Sequence, residues 1–196
     1  RLVQKFAIIN FDVEFNLTID NKNVIKTKVY GNLEKRNRFI ARVTDILGND
    51  FIKNSFDLSE IKDYLSLEGL LCLPTYNYSN SNNQFIFVNG RIINDKLLST
   101  IFKIAYRDVM FHDRFPQLIL NIKCPLDWVD INVHPMKNEV RFRDFNFLKS
   151  FIIKAFKKRL EEVGHRISNS KSTKTLEKLS VQENLILKED SNLSNE

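Results

Sequence analysis

The chain has 196 residues, 43% of them hydrophobic, enough for one domain with its own core and a tail. Thirty Lys and Arg stand against 24 Asp and Glu, a formal charge of +6 that fits a polyanion partner as well as it fits a plain solvated basic surface. The two cysteines lack paired spacing, the three histidines lack metal-ligand spacing, and the five glycines form no phosphate-cradling run; these counts argue against a disulfide scaffold, a zinc site and a Walker loop.

In chain order, residues 1–10 read as the last turns of a helix. "VEFNLTID" alternates, with Val13, Phe15, Leu17 and Ile19 on one side, and "VIKTKVYG" is its hairpin return after the turn residues "DNKN". "NRFIARVTDILG" carries a helical stripe of Phe39, Ile40, Val43, Ile46 and Leu47, stopped by Gly48. "FIKNSFDL" and "YLSLEGLLCLP" read as strands, "TYNYSNSNN" as a polar loop, and "QFIFVNG" as a strand running into Gly90. A helix follows, with Asn94 as its N-cap and Leu98, Ile101, Phe102, Ala105 and Val109 buried. "PQLILNIKC" and "WVDINV" are strands, with Cys72 and Cys124 as core packing. Residues 147–163 form a last helix with Leu148, Phe151, Ile152, Ala155, Phe156 and Leu160 inward, ended by Gly164. Beyond it the chain is rich in Ser, Asn, Lys and Glu and reads as a flexible linker. The expected class is α+β, with helices against a sheet. No apolar run reaches the length of a membrane span, so a soluble protein of a reducing compartment is expected. The chain lacks an initiator Met and is read as part of something longer.

Two features carry chemistry. Lys96, Thr100, Lys103 and Arg107 are spaced four, three and four apart, which aligns them on one face opposite the apolar stripe, and Arg91 extends the row. A phosphate backbone fits such a row; so does a plain solvated face. In "VHPMKNEVRF", Pro135 locks its own backbone and pushes His134 into an extended conformation, so Lys137 is rigidly mounted between two strands. A fixed lysine suits an anion, although a surface loop lysine is the simpler alternative.

"QFIFVNGRIINDKLL" and "WVDINVHPMKNEVRF" resemble the MutL family of DNA mismatch repair proteins, in the second half of its N-terminal ATPase region. Val129, Asp130, Ile131, Asn132, Val133, His134 and Pro135, then Lys137, Glu139, Val140, Arg141 and Phe142, fill the V-D-V-N-V-H-P-x-K-x-E-V-R-F pattern almost completely. Met136 stands where the family commonly has a small residue. The loop before Gln84 is less basic than in relatives, and Asn94 stands where some carry arginine, while Lys96 keeps the positive charge.

The resemblance implies a ribosomal protein S5 domain 2-like transducer domain over residues 11–164, a two-layer sandwich of mixed sheet with helices on one face. Residues 1–10 would connect it to a GHKL ATPase domain, and residues 165–196 would be the linker. It implies that Lys137 reaches the γ-phosphate of ATP in the GHKL domain, which would hold most of the ATP and Mg²⁺ and the catalytic groups. This chain alone should therefore not hydrolyse ATP. It further implies contacts from Lys96, Lys103, Arg107 and Arg91 to the DNA phosphate backbone without sequence readout. The partners would be a MutS-like sensor and downstream repair proteins, and dimerisation would use a C-terminal domain and ATP-dependent N-terminal association. A stand-alone S5-like nucleic-acid-binding module and a gyrase-type transducer are the alternatives. The expected setting is bacterial cytoplasm, at the nucleoid.

Overall fold

A computed structural model describes residues 1–130 and 140–165. Lys137 and the linker beyond His165 lie outside the described residues. The chain divides into a unit of residues 1–157 and a second of residues 158–196. In the second, the described residues 158–165 are helical, with an Arg159–Glu162 ion pair one turn apart.

The first unit is built on a five-stranded sheet. Its strands are β3 (Ser55–Lys62), β4 (Leu65–Cys72), β6 (Gln84–Val88), β7 (Arg91–Ile93) and β9 (Leu118–Lys123), in the order β3-β4-β9-β6-β7. β6 and β9 are parallel, joined through α4 (Lys96–Tyr106), and every other pairing is antiparallel. The mixed sheet follows from that helical crossover, because parallel neighbours need a long connection. Strand β9 is central, and Leu118, Ile119, Leu120 and Ile122 are all buried. Its first three residues therefore read as an apolar run instead of an alternation, before Asn121 interrupts it.

Both faces of the sheet are covered. Strand parity sends Gln84, Ile86 and Val88 to the same side as Leu118, Leu120 and Ile122. Here lies the expected helical layer: α4, whose Ser99 bonds Gln84, and the helical residues 145–157 of this unit, α5. Phe156 of α5 stacks on Phe102 at 5.5 Å and meets the Tyr106 ring edge-on at 6.2 Å, while the Tyr106 hydroxyl donates to the Cys72 carbonyl at 2.8 Å. Leu70, Cys72, Phe85, Phe87 and Ile119 point the other way. They pack against Ile8 of α1 (Leu2–Ile9), Val43 of α2 (Lys35–Leu47) and Phe51 of α3 (Asn49–Lys53). The layer of α4 and α5 is thus joined by α1–α3 on the opposite face.

Three local expectations differ. "FIKNSFDL" is not one strand. Gly48, at φ 83°, ends α2 and lets the chain re-enter a helix at once, which seats Phe51 in the core. The cap of α4 is Asp95, which accepts from Leu97 N at 2.7 Å and Leu98 N at 3.0 Å. Asn94 instead accepts a hydrogen bond from Lys5, and the helix ends at Tyr106, leaving Val109 exposed. Finally, β1 (Asn16–Ile19) and β2 (Lys22–Lys26) form the expected hairpin, turned by Asp20 and Asn21 at positive φ. Among the described residues, however, the hairpin pairs with no other strand, and Val13 and Ile19 are 54% and 50% exposed. Alternation predicted the strand, but its apolar side is covered unevenly: Ile25 is buried, Phe15 and Leu17 are half-buried, and Val13 and Ile19 stay exposed.

Arg42 of α2 fastens this region. Its side chain is fully buried and donates to four carbonyls: Ala7 at 2.7 Å, Asn10 at 3.1 Å, Val13 at 2.7 Å and Lys28 at 3.1 Å. One guanidinium therefore ties the end of α1, the loop after it and the exit from β2 to α2.

Candidate nucleic-acid interface

The apolar stripe of α4 faces the sheet and turns Lys96, Thr100, Lys103 and Arg107 outward. The row is not equally charged along its length. Thr100 Oγ1 donates to the Lys96 carbonyl at 2.9 Å. Lys103 lies over the Phe115 ring at 4.3 Å, a cation–π contact that holds the ammonium at the edge of the face. Arg107 approaches Asp108 at 3.8 Å, and Asp108 is in turn bound by Lys157 at 2.6 Å. The hydrogen bond from Lys157, with the charges of Lys157 and Arg107 behind it, holds the Asp108 carboxyl below its usual pKa. Among the described residues Lys96 forms no ion pair, whereas Arg107 stands beside Asp108.

Arg91 is exposed as the first residue of β7, just past the Asn89-Gly90 turn, where φ is 49° and 79°. That turn is clamped to the end of β9. The Asn89 side chain donates to the Cys124 carbonyl and accepts from Cys124 N, both at 3.0 Å, while Gly90 N donates to Asn121 Oδ1 at 3.1 Å. Arg91 thus sits on a rigid mount beyond the α4 row.

Sequence reasoning missed the cationic group beside Lys96. Arg1, Lys5, Asn82, Asn94, Lys96 and Ser99 line one cavity of about 420 Å³. Lys5 is only 7% exposed and bonds the Asn94 side chain; Arg1 donates to Asn83 Oδ1 at 2.8 Å and lies over the Phe85 ring. Burial, and after it the Arg1 charge, pull the Lys5 ammonium below its ordinary pKa. No periodicity links Lys5 to Lys96, because the two meet only through folding.

Lys137 lies outside the described residues, but its flanks are placed. β10 (Val129–Asp130) pairs antiparallel with β11 (Arg141–Phe142), so both ends of the 131–139 segment are anchored side by side. Trp128 supports that anchor by donating Nε1 to the Tyr64 hydroxyl at 3.0 Å and packing 5.8 Å from Phe142.

A family model described as "DNA mismatch repair protein, C-terminal domain" matches residues 43–161, more than half of the chain. The chain is 37% identical over 176 residues to the DNA mismatch repair protein MutL of Rickettsia canadensis, covering 89% of this chain and 28% of that protein. To MutL of Rickettsia bellii it is 35% identical over 176 residues, covering 90% and 29%. The chain therefore spans less than a third of the length of these relatives. A solved structure described as the N-terminal domain of a DNA repair protein shares the fold, with a TM-score of 0.62 at 20% identity over 84% of this chain and 52% of that one. With the mixed-sheet α+β fold and the matched residues together, the chain belongs to the MutL family of DNA mismatch repair proteins.

Proposed function

We propose that residues 11–164 are the transducer domain of a MutL-type mismatch repair ATPase, with residues 1–10 connecting from the ATPase domain and residues 165–196 linking onward. Lys137 contacts the γ-phosphate of ATP bound in the neighbouring domain and couples its presence to domain closure. The observation that carries this reading is the near-complete pattern from Val129 to Phe142, set between two strands that pair with each other. An ammonium is a compact charge suited to a phosphate oxygen.

Bound ATP and Mg²⁺ would supply the phosphoryl chemistry. Among the described residues no three His, Cys, Asp or Glu side chains converge as a metal site. The chain's part is charge and positioning. The α4 face, led by Lys96 with Lys103, Arg107 and Arg91, contacts DNA phosphates without reading sequence. A MutS-like sensor, downstream repair proteins and a second copy of the protein are the partners this reading implies.

The test joins this chain to its ATPase domain and changes Lys137→Ala. ATP hydrolysis should fall steeply while ADP affinity is kept. Equal hydrolysis in both proteins would reduce Lys137 to a loop residue and leave a basic nucleic-acid-binding module. Separately, Lys96→Glu with Lys103→Glu should weaken DNA binding and flatten its salt dependence. Unchanged affinity at low salt would remove the DNA face.

A further inference from the structure

We propose that the cavity lined by Lys5, Arg1 and Lys96 is a phosphate-binding pocket, and that its phosphate is a backbone diester of a DNA strand that continues along α4. The pocket rests on geometry alone; the assignment to DNA rests on the DNA-binding reading above.

Lys5 is a nearly buried ammonium that donates a hydrogen bond to a neutral amide, the Asn94 side chain. Among the described residues no carboxylate forms an ion pair with Lys5, Arg1 or Lys96. The one carboxylate in the cavity wall, Asp95, is occupied by the first amides of α4. Burying a cation without a counter-charge is costly, and placing a second cation beside it adds to the cost. A lysine with only a packing role would more cheaply face a Glu or be replaced by an apolar residue. An incoming anion offsets both costs at once.

The chemistry of the wall selects the anion. Three cationic groups and the Asn82 and Asn94 amides offer more donors than one planar carboxylate has lone pairs to use, even with the Ser99 hydroxyl already donating to Gln84. A tetrahedral phosphate has more acceptor oxygens and spreads them in three dimensions. The volume of about 420 Å³ is that of a ligand cleft, not a water site. Position selects the source of the phosphate. Lys96 belongs both to the cavity wall and to the outward row of α4, so a strand seated in the pocket runs on past Thr100 towards Lys103.

The test uses the 196-residue chain. Inorganic phosphate is titrated while the Asn82 and Asn94 side-chain amides are followed by NMR. A labelled single-stranded oligonucleotide, with and without a 5′-phosphate, is then bound to the wild type, Lys5→Gln and Asn82→Asp. Asn82 is exposed, so its variant keeps the test valid if Lys5→Gln folds poorly. Phosphate should shift both amides. Each variant should weaken both oligonucleotides by about three- to tenfold and lower the salt slope by about one. If the variants weaken only the 5′-phosphorylated strand, the pocket stands and the diester assignment is overturned in favour of a terminal monoester. No amide shift with wild-type affinity in both variants overturns the pocket. If the wild type binds neither oligonucleotide, the DNA-binding reading fails, and the phosphate titration still decides the pocket.

Discussion

Replacing Arg42 with Met keeps much of the buried stem and removes all four of its hydrogen bonds. Hydrogen bonds from charged donors are worth about 1.5–3 kcal/mol each, so simple addition would give about 6–12 kcal/mol. That sum is too large, because the carbonyls differ in depth. The bond to the Ala7 carbonyl is buried, whereas those to Asn10, Val13 and Lys28 are only partly buried, and water replaces some of the lost donors as the loop relaxes. Among the described residues Arg42 also has no ion pair to lose, and its removal relieves a desolvated charge whose pKa burial already pulls down. The expected loss is therefore about 3–5 kcal/mol, a large share of the stability of an ordinary domain. Urea unfolding followed by circular dichroism measures it as a fall in midpoint with an unchanged slope. Hydrogen exchange should quicken at the amides of Val13 and Thr27, which bond within the fastened region, and not at those of β9. A loss under about 1 kcal/mol, or equal acceleration everywhere, would refute the idea that one guanidinium fastens α1 and the hairpin to α2.

Two further changes test the sheet and its edge. A β-carbon at Gly69 would lie 1.9 Å from the Ile119 carbonyl oxygen, a backbone atom of the paired strand that cannot swing away. Gly69→Ala should therefore cost about 3 kcal/mol or more in a thermal melt, and a melt like the wild type's would contradict the packing of β4 on β9. Asp108 has a lowered carboxyl pKa in the folded chain, so its contribution is present above the unfolded value and lost as pH falls through the folded one. NMR titration should find that pKa rising in Lys157→Gln, and no rise would exclude Lys157 as the main cause.

Helical periodicity was the most legible signal. The stripes of α2, α4 and α5 name residues on the inward faces: Val43, Leu98, Ile101, Phe102, Ala105, Leu148, Phe151, Ile152, Ala155 and Phe156 are buried, Phe39, Ile40, Ile46, Leu47 and Leu160 are half-buried, and Val109, beyond the end of α4, is exposed, because a helix facing a core needs apolar groups at that spacing whatever lies opposite. Strand alternation said less. It located β1, but burial depends on what lies opposite, and of that strand's predicted apolar side Phe15 and Leu17 are half-buried while Val13 and Ile19 are exposed. The α4 cap was misplaced by one residue because Asn94 and Asp95 both suit the position, and the choice was made by Lys5 engaging Asn94. Α3 was missed because five residues are too few for a helical period to show.

From the order of its residues alone, the protein's main helices, its turn chemistry, its basic α4 face and its family resemblance were determined, since each rests on local spacing or an uninterrupted string. Folding decided which charges stand together. Lys5 and Lys96 meet at one cavity, Arg42 meets the Ala7 and Lys28 carbonyls, and Asp108 tempers Arg107 with the help of Lys157. These contacts join segments far apart in the chain, and electrostatic energy depends on distance and burial in space, which local sequence patterns do not encode.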